Sequence, residues 1–159
     1  MSTSSITIDL NDVPTGVSIQ TFKDSVLVLV SQVGKVGNLI QVTLPPTTPL
    51  LPAATADPLE SNTRQLPPIP AATHLTSLLG HAPSEYRHTL HNLYASQIAS
   101  LIWNMAPEDP TSQARKTIIV GIALQKSKTN DDTSSPTETE KETFTGVMRT
   151  VQELLEKGA

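Results

Sequence analysis

Cysteine is absent from the 159 residues, which excludes a disulfide framework and a thiolate zinc centre and fits a reducing compartment. Clustered basic charge is missing too. The 11 lysines and arginines are scattered among 15 acids, for a net charge of -4, whereas a nucleic-acid binder needs them gathered against phosphates. No run approaches the ~18 apolar residues of a membrane span, and Met1-Ser2-Thr3-Ser4-Ser5 lacks the basic-then-apolar layout of a signal peptide. The expectation is a protein of the cytoplasm, the nucleus or both, with neither nucleic acid nor membrane as partner.

What is present suits one modest core. A hydrophobic content of 37% over this length supports a single domain, residues 1–159. Eight of the 13 prolines (Pro45, Pro46, Pro49, Pro52, Pro58, Pro67, Pro68, Pro70) crowd one stretch, so residues 45–72 read as an extended, partly disordered insert. A second insert, residues 126–142, is rich in Ser, Thr and acids. Between Thr129 and Glu142 five acids face only Lys141, which accounts for the whole net charge. It reads as too polar to offset the entropy of ordering.

Alternation marks strands at Ser5–Leu10 and Val17–Phe22, separated by a turn over Asn11–Gly16. Ser25–Val30 is apolar on both faces, as a strand covered on both sides would be. Val33-Gly34-Lys35-Val36 reads as a two-residue hairpin turn, which makes Val36–Leu44 the antiparallel neighbour of that strand. A short fifth strand fits Thr73–Leu79, and a second all-apolar strand fits Lys116–Leu124, where Gly121 suggests close approach by another element. Ser84 is a candidate cap for a long helix whose stripe runs through Leu90, Leu93, Tyr94, Gln97, Ile98, Leu101, Ile102 and Met105. Phe144, Val147, Met148, Val151, Leu154 and Leu155 form one face of a closing helix. The fold class is therefore α+β: an antiparallel sheet of about six strands with a long helix and a C-terminal helix packed on it.

Catalytic constellations are not found. Gly34-Lys35 lacks the rest of a phosphate loop, because Leu29 and Val36 stand where glycine and a hydroxyl residue are required. Glu85, His88 and His91 share the long helix with His81 just upstream, but helical geometry sends His88 outward and His91 to the edge of the stripe. Surface histidines are the expected outcome, with no metal. Glu108-Asp109 has no positioned nucleophile, and no serine lies in a Gly-x-Ser-x-Gly elbow. The expectation is a protein without enzymatic activity or cofactor. Trp103 projects roughly opposite the Leu90 stripe, which leaves two readings, a core residue or an anchor for a partner.

The order of segments resembles the proteasome assembly chaperone 3 family. The residues that carry the likeness are Val13-Pro14-Thr15, the aliphatic strand Val26–Val30 running through Ser31-Gln32 into Val33-Gly34-Lys35-Val36-Gly37, Leu78-Leu79-Gly80 before the long helix, and the Ile118–Leu124 strand. The resemblance implies a non-enzymatic chaperone that pairs with a proteasome assembly chaperone 4-like subunit. The pair would bind 20S proteasome α-subunits, chiefly α5, help seat them in the α-ring, and leave as β-subunits join. The lengths of the two inserts suggest a fungal-type member. Candidate partner-binding residues are Gly34, Lys35 and Val36 in the turn and Ile98, Ile102 and Trp103 on the helix. An unrelated interaction adaptor on an α+β sheet is the alternative.

Overall fold

Period-two alternation builds most of the strands, and the helices close over one side of them. The computed structural model describes residues 2–10, 13–32, 37–45, 69–80, 85–105, 116–124 and 138–157. Its elements are β1 (Ser2–Leu10), β2 (Val13–Thr21), β3 (Ser25–Gln32), β4 (Asn38–Thr43), β5 (His74–Leu79), α1 (Glu85–Met105), β6 (Thr117–Ala123) and α2 (Glu138–Lys157). The α+β reading holds: six strands form one sheet, with a long helix and a C-terminal helix against it.

Strand order departs from the sequence reading. The sheet runs β1-β2-β3-β6-β4-β5, so β3 and β4 are not neighbours and the hairpin expected between them does not form. β6 lies between them, parallel to β3 and antiparallel to β4, which makes the sheet mixed rather than purely antiparallel. The physical reason is burial. The strands richest in apolar residues gain most from the middle of the sheet, and β6 is one of them. A parallel neighbour for β3 requires a long crossover, here supplied by the chain from β4 through α1. Residues Val33, Gly34, Lys35 and Val36 lie outside the described residues, as do most of 45–72 and residues 126–137.

Other boundaries also move. β1 begins at Ser2, and β2 begins at Val13, with Asp9 opposite Pro14, so the expected turn over Asn11–Gly16 is much shorter. α2 begins at Glu138, inside the segment read as too polar to order. Glu138, Glu140 and Glu142 thereby fall near the helix start, where its unpaired amides favour carboxylates.

The core lies on one face. Val17 and Ile19 of β2, Val26, Val28 and Val30 of β3, Ile118, Val120 and Ile122 of β6, and Ile40 and Val42 of β4 are all buried. Register aligns them across the strands, as in Val28–Val120–Ile40. α1 covers β4 and β6, and α2 covers β1 and β2. The helices meet where Tyr94 and Phe144 pack edge to face, with ring centroids 5.0 Å apart, and where the Tyr86 hydroxyl donates to Glu140. Burial, and after it that hydrogen bond, pushes the Tyr86 hydroxyl up to about 12.

Candidate functional site

The face of the sheet opposite the helices is the feature that stands out chemically. β3 is expected to be covered on both sides, but of its apolar residues only Val26, Val28 and Val30 are buried. Leu27 and Leu29, pointing the other way, are half-exposed. β6 behaves alike, with Ile119 half-exposed between buried Ile118 and Val120. Side chains alternate across a strand, so these residues share the uncovered face.

Register turns them into rows. Ser18, Leu29, Gly121, Leu39 and Leu79 lie side by side across β2, β3, β6, β4 and β5. Gln20, Leu27, Ile119, Gln41 and Thr76 form the next row. Gly121 makes the first row continuous. A Cβ there would stand 2.7 Å from Leu29 Cδ2 and 2.9 Å from Leu39 Cδ2, so the two leucines close over the glycine from neighbouring strands. The close approach expected at Gly121 is thus made by side chains. At the sheet edge the row ends on Leu79, 64% exposed, beside Leu78 at 47%.

Charge is nearly absent from this face. Among its described strand residues only Asp9, in the far corner on β1, carries a formal charge; the surround is mostly Ser, Thr, Gln and Gly, with His74 opposite Thr43 on the edge strand β5. Charged residues instead occupy the outer side of α2, where Lys141, Glu142, Arg149, Glu156 and Lys157 are exposed. A flat apolar row with an uncharged surround is poorly suited to water and well suited to another protein surface.

The residues singled out from sequence fall elsewhere. Ile98 and Ile102 are buried in the core beneath α1. Trp103 is buried as well, and its Nε1 donates to the Lys116 carbonyl at 2.9 Å, which realises the core reading of this residue. In this conformation the three offer no free surface. Gly34, Lys35 and Val36 lie outside the described residues, but their flank is informative. A Cβ on Gly37 would stand 2.1 Å from the Ile122 carbonyl oxygen, so the chain leaving that loop runs against β6 too closely for any side chain.

His91 corrects another expectation. It is buried rather than superficial, and neither ring nitrogen has a partner. His88 faces solvent as expected. The stripe departs from expectation in its first turns, where Leu93 is exposed and Arg87 and His91 are buried, while Gln97, Ile98, Leu101 and Ile102 are buried as expected. Among the described residues no three metal-ligating side chains come together, and no helix is long and apolar enough to cross a membrane.

Leu29, Leu39, Ile119 and Leu79 were missed as a site. A signal was available: two helices of about 20 residues, each covering a strip about 10 Å wide, can shield one face of a six-stranded sheet but not two. Strands that are apolar on both faces therefore call for cover beyond what the two helices supply.

No family model and no curated protein matches the sequence. Among solved structures, the fold is similar to a chain in the crystal structure of a novel chaperone complex for yeast 20S proteasome assembly. The TM-score is 0.50 at 14% identity, over 99% of this chain and 98% of that one.

Proposed function

We propose that the chain is a non-enzymatic chaperone of 20S proteasome assembly, of the proteasome assembly chaperone 3 type, that pairs with a related subunit through its uncovered sheet face. The observation that carries this reading is the apolar, nearly chargeless face, on a fold similar over its full length to a chain of a proteasome-assembly chaperone complex. Hydrophobic association of two such faces needs no catalytic group and leaves the charged outer side of α2 in water.

The related subunit is of the proteasome assembly chaperone 4 type, and the client of the pair is a 20S α-subunit, chiefly α5. Binding a client surface also used by later-arriving β-subunits would make release a matter of competition. Lys35, with Gly34 and Val36 beside it, is assigned to the client. In the chain these residues follow β3 and precede β4, two of the strands that carry the apolar row. Cytoplasm and nucleus are the assigned locations.

Expressed alone, the chain is expected to self-associate or precipitate at high concentration, and co-expression with the related subunit is expected to give a soluble 1:1 complex. Size-exclusion chromatography with light scattering reads both. A stable monomer at high concentration that ignores the related subunit contradicts the proposal.

A further inference from the structure

A polar residue interrupts the apolar contact between α1 and the sheet. The core-facing stripe of α1 runs Arg87, His91, Tyr94, Ile98, and all four are buried. Arg87 is held in place, with Nη1 donating to the Leu124 carbonyl at 3.3 Å, just past the end of β6. His91, one turn on, is 5% exposed, and both Nδ1 and Nε2 are buried without a hydrogen-bond partner. Nearly all buried polar groups in folded proteins are paired. A leucine at this position would fill the same contact with no orphaned atoms, so the imidazole carries a cost that packing does not explain.

We propose that His91 is a proton-sensitive joint: α1 seats on the sheet only while the imidazole is neutral, and its protonation unseats the helix. Among the described residues, the groups that surround it leave an added proton without compensation. On its own helix the charged or titratable neighbours are Arg87 and His88, both of which disfavour a second positive charge, and Tyr94, whose hydroxyl burial pushes up so that it stays neutral. The strands beneath α1 present Asn38, Ile40 and Val42 from β4 and Ile118, Val120 and Ile122 from β6, none of which titrates. From α2, Glu140 is engaged by the Tyr86 hydroxyl. Burial, with Arg87 and His88 adding to it, pushes the His91 imidazole down to about 4.

The direction of the effect follows. The folded-state value lies below the ordinary 6.5, so the neutral form is favoured by folding and its contribution is complete above pH 6.5. It is lost as pH falls from 6.5 towards 4 and is constant below. Over pH 7.5 to 4.5 the folding equilibrium constant is expected to fall on the order of fifty-fold through this residue alone.

Urea denaturation of the full chain and of His91→Leu at several pH values isolates that contribution, since the other histidines are common to both. Trp103, the only tryptophan, lies on α1 and reports the state of the helix by fluorescence. The expected result is a wild-type stability that falls much more steeply with acid than that of His91→Leu. Parallel curves overturn the proposal. Should His91→Leu fail to fold, the His91 Cε1 proton resonance of the wild-type chain decides. It should hold its neutral position down to pH 5, and a midpoint near 6.5 overturns the proposal as well.

Discussion

Leu29→Asp is expected to abolish pairing with the related subunit while leaving the isolated chain folded. Leu29 is half-exposed, and on the uncovered face its side chain closes over Gly121. Replacing it in the free chain sacrifices part of one apolar contact and leaves a carboxylate in water, at a cost of about 1 kcal/mol. In the proposed pair the same carboxylate would be enclosed between two sheets, with no lysine or arginine among the described strand residues of this face to meet it. Burying an unpaired charge costs about 3–5 kcal/mol or more, a loss of at least about a hundredfold in affinity. The check is a titration of purified subunits, with circular dichroism confirming the fold. Unchanged affinity would remove the uncovered face from the interface. Lys157→Ala, on the exposed outer side of α2, serves as the neutral comparison.

The largest effect on stability is expected at Trp103. Its ring is part of the buried cluster and its Nε1 satisfies the Lys116 carbonyl. Lys116 in turn donates from Nζ to the Phe22 carbonyl at 3.2 Å, and the Thr117 amide donates to the Asp24 carbonyl. The indole therefore joins the end of α1 to the entry of the central strand β6 and to the β2–β3 connection. Trp103→Ala is expected to cost about 3–5 kcal/mol, with a fall in Tm of roughly 10 °C. Trp103→Phe keeps most of the volume and loses the hydrogen bond, a cost of about 1 kcal/mol. Differential scanning calorimetry measures both. If instead Trp103→Ala left Tm unchanged and weakened only pairing, the residue would be a surface anchor and not a core strut.

These two residues show where sequence was informative and where it was not. Strand and helix positions were legible because burial on one side imprints a period of two or 3.6, as in Val17-Ser18-Ile19-Gln20 and in Val147, Met148, Val151 and Leu154 of α2. The neighbour of a strand leaves no such imprint. Gly34-Lys35 looks like a hairpin locally, and only the competition for the central place in the sheet puts β6 between β3 and β4. Leu27 and Leu29 were read as covered because they are apolar. They are apolar, yet the described elements do not cover them, and that difference is the candidate site. Trp103 and His91 were misplaced or left open for a related reason. Burial on α1 from Tyr94 to Trp103 extends around the helix, including Ser96, Gln97 and Ser100, so a single apolar stripe does not describe it.

Affinity purification of the tagged chain from its own cells, followed by mass spectrometry of what comes with it, tests the central claim most directly. The account predicts a related small subunit at equal amount together with free 20S α-subunits, α5 foremost, and no mature β-subunits. Recovery of intact, mature proteasome alone, or of an unrelated set of proteins with no α-subunit, would contradict it and favour an interaction adaptor built on the same sheet.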